Sequence, residues 1–254
     1  MSQTFLIQLF IGGAIGIGAG YIGAFMILRR MALVGDALSH VALPGIAAAL
    51  LFGFNPFLGA FSALLAAVIG IWALERKTSL SSETLVGIFF TTALALGILL
   101  TPEPELLEAL FGNISSVARM DVYITLPLVL LVIIGLTLLS KPLTLSTISK
   151  ELTQSMKIPV NAVNFVFLFM VAIIVALGIK VTGTLLMGAL VIIPAAAARN
   201  VALNFSRYTF MSAFLGGISA ISGIAIAHHY HLAPGPLVVL SGGVLFLISL
   251  LFKE

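Results

Sequence analysis

The chain has 254 residues, of which 61% are hydrophobic and 8% charged, with a formal net charge of +3, whereas an average soluble domain is about a quarter charged. So little charge excludes an ordinary water-soluble globule, and the absence of cysteine excludes disulfides and thiolate metal sites. The small positive balance belongs to basic residues flanking apolar runs, which is how membrane proteins mark their cytoplasmic side, so no nucleic-acid partner is expected.

Stretches free of Asp, Glu, Lys and Arg cover Met1 to Leu28, Ala37 to Leu74, Thr84 to Thr101, Val122 to Ser140, Ile158 to Ile179, Val181 to Ala198 and Tyr208 to Phe252. Each reaches the roughly 17 to 25 residues that a helix needs to cross about 30 Å of hydrocarbon. Gly53-Phe54-Asn55-Pro56 divides the second stretch and His228 to Pro236 divides the last, because proline interrupts the helical ladder and glycine permits a turn. The expectation is an all-α, polytopic membrane helix bundle of about 8-9 transmembrane helices in one domain, 1-254. Its spans are placed near 4-28, 32-52, 57-74, 84-101, 122-140, 160-178, 181-199, 208-227 and 235-252. The first run has no basic leader and exceeds an ordinary signal peptide, so it reads as a retained span.

Basic residues favour the cytoplasm. With the N-terminus outside and the C-terminus cytoplasmic, Arg29, Arg30, Arg76, Lys77, Lys141, Lys150, Lys157, Arg199, Arg207 and Lys253 fall inside, and only Arg119 and Lys180 fall outside. Glu103, Glu105 and Glu108 then lie in an outer loop, either as a solvated face or as an attractor of cations.

Within the runs, Gly12, Gly16 and Gly20 share one helical face, and such spacing allows helices to approach at backbone distance. Pro44 cannot donate to the carbonyl of His40, so a helix through this segment is interrupted there. Pro127 and Pro194 imply kinks.

Lys141 to Pro159 is too polar to cross the bilayer. Leu145, Ile148, Leu152 and Met156 recur at helical spacing, with Ser149, Lys150, Thr153 and Lys157 opposite. Two readings stand side by side: a helix lying on the membrane surface, and one docked into a groove of a soluble partner.

Asp36 is the only acidic residue before Glu75, and His40 follows it by four residues. That spacing stacks both side chains on one helical face, about 6 Å apart along the axis. Either group is costly in lipid unless paired, hydrated or functional. Together they offer oxygen and nitrogen ligands suited to Zn²⁺, Mn²⁺ or Fe²⁺, or a structural ion pair. Two ligands do not complete a coordination shell, which suits an ion that must be released. His228, His229 and His231 form a second candidate group for external metal capture. There is no Gly-rich phosphate loop and no His-Glu-x-x-His zinc motif, so uphill transport requires an ion gradient or a separate ATPase.

These residues resemble the membrane permeases of zinc, manganese and iron ABC importers. The matching segments are Arg29 to His40 with its Gly-Asp-Ala-Leu-Ser-His end, Pro44-Gly45, Leu110 to Asn113, Gly183 to Leu186, Ile192 to Arg199, and Pro234-Gly235-Pro236. The resemblance covers essentially the full length and is nearest to the zinc-uptake permeases. It implies a type II ABC importer permease-like fold in the bacterial plasma (inner) membrane. It also implies a homodimer bound to two cytoplasmic ATPase subunits and fed by an extracytoplasmic metal-binding protein. On this resemblance Asp36 and His40 face the path at the dimer interface. The metal, most simply Zn²⁺ with Mn²⁺ and Fe²⁺ as alternatives, is cargo rather than a resident cofactor. The segment 144-158, with Leu145, Ile148, Leu152 and Met156, corresponds to a coupling helix, and ATP hydrolysis belongs to the partner.

Overall fold

The computed structural model describes residues 3–101, 109–112, 119–149, 153 and 155–252. Among them the regular structure is helical throughout: α1 (Gln3–Leu28), α2 (Val34–Val41), α3 (Leu43–Phe52), α4 (Pro56–Glu75), α5 (Ser82–Leu100), α6 (Arg119–Ile148), α7 (Val160–Val201), α8 (Phe205–Tyr230) and α9 (Pro234–Ser249), the last closed by a short 3₁₀ turn. Helix starts follow local chemistry. The side chains of Asn55, Ser81 and Asn204 accept the amides of Phe57, Thr84 and Arg207 at 2.9, 3.3 and 2.8 Å, satisfying donors that the first helical turn leaves open.

Eight helical segments are long and apolar enough to cross a membrane, counting α2 and α3 as one. The 42-residue α7 is about 63 Å of helix, twice what a bilayer needs, and it breaks at Gly183, whose φ is 75° and ψ 175°. Its two limbs fold back on each other. A Cβ on Gly178 would strike the side chain of Met187, and the first limb runs from Arg29 past α1 to the level of Gly12 before the second returns to the level of Gly23. With α7 taken as two limbs, the candidate spans among the described residues number nine. The expected boundary at Lys180 falls three residues early, because Lys180 remains helical and pairs with Asp121 at 2.7 Å.

α1 and α7 are mostly buried and form the centre, while α5, α6 and α9 keep most of their apolar surface outward. That distribution suits lipid, whose chains are as apolar as leucine, so association rests on close packing rather than on escape from water. α1 crosses α8 with Gly16 against Gly216, and α3 crosses α4 with Gly45 against Gly59. In both crossings a Cβ on either glycine would collide with the other's carbonyl oxygen. Ser212 adds a hydrogen bond from its hydroxyl to the carbonyl of Gly20.

One further boundary differs from expectation. α6 runs through Pro142 to Ile148, about 45 Å of helix, so Thr144 to Ile148 are its last turns rather than the start of a separate element. Leu145 is half-buried there, Ile148 and Met156 are exposed, and Leu152 lies outside the described residues. Glu103, Glu105 and Glu108 also lie outside them.

Candidate metal pathway and its relatives

α2 is eight residues long because Pro44 occupies the first turn of α3 and the ladder is interrupted at Ala42. The Ala42 amide closes the helix by donating to the Ser39 carbonyl at 3.3 Å. This short helix carries Asp36 in its first turn and His40 in its last, and it packs between α5 and the second limb of α7.

His40 is buried, with its ring 5.4 Å from that of Phe90 on α5. Its Nδ1 is buried without a hydrogen-bond partner among the described residues, and so is the hydroxyl of Thr184. An unpaired buried polar atom costs about 1 to 3 kcal/mol, which marks this place as one where packing alone does not satisfy the chemistry. Asp36 is half-buried, and its carboxylate makes no hydrogen bond to the described residues. What holds it is contact: a Cβ on Gly188 would lie 2.5 Å from the Cβ of Asp36 and 2.8 Å from its Oδ1. Ser39 fastens the same turn, its hydroxyl lying 2.6 Å from the Asp36 carbonyl and 2.5 Å from the Thr184 carbonyl.

Among the described residues no three His, Cys, Asp or Glu side chains converge on a point that could hold a metal. Asp36 and His40 are therefore joined by no third such side chain among the described residues. The other histidines are exposed and engaged separately. His228 stacks on Phe5 with ring centroids 4.1 Å apart, His229 meets Tyr230 edge to face at 4.9 Å, and His231 caps α8 with φ 55°.

Just beyond the site, three segments separated widely in sequence meet through glycines. Cβ atoms on Gly112 and Gly183 would each come within 2.6 and 2.5 Å of the other's amide nitrogen. One on Gly235 would lie 2.8 Å from the Thr182 carbonyl and 2.9 Å from that of Phe111. Gly112 and Gly183 both have φ near 75°, a conformation open to glycine at little cost. This node, Gly188 and Thr184 carry no compositional signal, and they acquire meaning only when α2 is laid on α7.

Polar groups collect at the two ends of the bundle. At one end Arg29 donates to Asn164 and lies over the Phe167 ring at 4.8 Å, while Glu75 accepts from Asn164 at 3.2 Å and from Ser82 at 2.7 Å. Burial pushes the Arg29 guanidinium below its ordinary value and nearby Glu75 opposes the shift, leaving a charge that proteins do not remove. A cleft of about 560 Å³ opens there between Arg30, Glu83 and Asn161. At the other end Lys180 and Asp121 border a small cavity of about 70 Å³ with Asn55.

Comparison with known proteins agrees with this architecture. The model of the ABC 3 transport family matches residues 1–253. The manganese import system permease protein ScaB of Streptococcus parasanguinis is 36% identical over 93% of this chain and 86% of its own length. The high-affinity zinc uptake system membrane protein ZnuB of Haemophilus influenzae is 32% identical over 92% and 91%. The structure of PsaBC from Streptococcus pneumoniae in complex with Fab superposes with a TM-score of 0.85 at 31% identity, covering 98% of this chain and 91% of that one. A charge-bearing short helix set against a broken one, in a multi-pass bundle that this family model spans almost end to end, identifies the chain as a member of the ABC 3 transport family, a membrane permease of the zinc, manganese and iron importers.

Proposed function

We propose that this permease carries Mn²⁺ inward between two copies of itself, with Asp36 and His40 of each copy as the ligands along the path. The observation that carries the reading is the Asp36 carboxylate, held in an apolar bundle against Gly188 with no hydrogen bond among the described residues. A carboxylate inside an apolar membrane bundle is expensive unless paired, and a passing dication offsets that cost. One copy supplies one oxygen and one nitrogen ligand group, and a second copy doubles the set toward a full shell. The similarity to a manganese permease at 36% identity, together with a carboxylate and no thiolate, moves the preferred cargo from zinc to manganese. Zinc is the second reading, favoured by the 32% identical zinc-uptake relative.

In this reading the N-terminus is outside, so the Arg29, Glu75 and Asn164 network faces the cytoplasm. Two ATPase subunits dock on that side, against the end of α6 and the residues 144-158 that follow Ser140. A binding protein delivers the metal from outside, near the Gly112, Gly183 and Gly235 node. ATP turnover in the partners alternates the bundle between its two open sides, and this chain supplies ligands and gates but no hydrolysis.

The test is Asp36→Asn in the assembled importer, read as uptake of radiolabelled manganese and zinc. The amide keeps the shape that packs on Gly188 and removes the charge. Manganese uptake is expected to fall at least about tenfold, since altering even the groups that orient a metal's ligands costs about 10- to 100-fold, with ATPase association retained. Normal uptake of both ions would remove Asp36 from the path, and uptake by the purified permease alone under an ion gradient would favour a secondary transporter.

A further inference from the structure

Gly188 stands where α7 leaves room for the acidic end of α2. Its hypothetical Cβ would lie 2.5 Å from the Cβ of Asp36 and 2.8 Å from both its Cα and its Oδ1. Because Cα and Cβ are involved, rotating the carboxylate cannot relieve the overlap and α2 itself would have to move away. One turn earlier on α7, the Thr184 carbonyl receives the Ser39 hydroxyl at 2.5 Å. Residues 184 and 188 of α7 thus hold residues 39 and 36 of α2 at two points, each pair spaced so that both contacts lie on one helical face.

Among the described residues the Asp36 carboxylate has no hydrogen bond to set its direction, so this fastening is what places it. We propose that Gly188 is a specificity-determining position: its missing side chain and the Ser39 bond to Thr184 fix how far the Asp36 carboxylate reaches into the path, and that reach selects the divalent ion. The inference rests on the proposed role of Asp36. Zn²⁺ accepts four ligands at about 2.0 to 2.2 Å, whereas Mn²⁺ favours an octahedral oxygen-rich shell. Withdrawing the carboxylate penalises the ion that needs more ligands. Gly188 and Ser39 are positioning residues here, acting through Asp36.

The experiment uses the permease assembled with its ATPase and binding protein, and measures KM and maximal rate for Mn²⁺ and Zn²⁺ separately. In Gly188→Ala the KM for Mn²⁺ is expected to rise about 10- to 100-fold, the range seen when groups that orient metal ligands are altered. The KM for Zn²⁺ rises less, so the preference between the ions shifts toward zinc. Gly243→Ala, where a Cβ meets nothing within 4 Å, leaves both ions unaffected. Unchanged KM values in Gly188→Ala, or a lower maximal rate with the ion preference intact, would reduce Gly188 to a packing residue and overturn the proposal. Should Gly188→Ala fail to accumulate, Ser39→Ala decides, because it loosens the same turn without adding bulk. A shift in the same direction supports the proposal, and unaltered KM and preference overturn it. Asp36→Asn separates the two levels: if it abolishes uptake while Gly188→Ala is silent, only this inference fails, and if it is itself silent, the site reading beneath fails as well.

Discussion

Replacing Gly183 by alanine tests whether the break in α7 is built into the fold. At φ 75° and ψ 175° the backbone occupies a region essentially reserved for glycine, and forcing an L side chain there costs about 1 to 3 kcal/mol. The new Cβ would also press on the Leu110 carbonyl and lie 2.5 Å from the Gly112 nitrogen. Both neighbours are backbone, so relief requires moving the chain rather than a rotamer. Taking the two effects together, a loss of about 3 kcal/mol is expected, within the range of strained-backbone mutations. For a chain of this size that corresponds to a Tm lower by about 6 to 12 °C. Thermal unfolding of the detergent-solubilised permease measures it, with Gly243→Ala as the unstrained control. A Gly183→Ala protein as stable as the parent would refute the assignment of the break to that residue and with it the hairpin account of α7.

Two further outcomes are expected. Lys180 and Asp121 are about a third and a quarter exposed, so a double-mutant cycle with Lys180→Met and Asp121→Asn should return a coupling of about 1 kcal/mol or less, as partly solvated pairs do. A coupling of several kcal/mol would place the pair in a dry layer. Ile148→Glu puts a charge on the exposed end of α6 and should weaken co-purification of the ATPase about tenfold, the order expected for losing a hot-spot contact; undiminished co-purification would move the docking surface elsewhere.

Charge alone made most of the fold legible. A run without Asp, Glu, Lys or Arg and long enough to cross lipid has few other uses, and eight helical segments among the described residues are long and apolar enough to span, one of them carrying Asp36. Boundaries were harder because a charged residue does not end a helix. Lys180 stays helical by pairing with Asp121, and α6 continues past Lys141 and Pro142 to Ile148. Asp36 and His40 stood out because a carboxylate in an apolar run is conspicuous wherever the helix packs. Gly188, Thr184 and Phe90 did not stand out, since glycine, threonine and phenylalanine are ordinary in membrane helices and their significance arises only from the neighbour across the gap. The three glycine-bearing segments around residues 112, 183 and 235 were visible as separate resemblances, but their convergence was not.

The glycine crossings have a mechanical consequence. Where Gly16 meets Gly216 and Gly45 meets Gly59, backbone rests on backbone, so at those points no rotamer change can relieve a sliding motion. α1 with α8, and α3 with α4, behave as two solid blocks. Relative motion is easier between the pairs than within either, and α2, packed between α5 and the second limb of α7, belongs to neither pair.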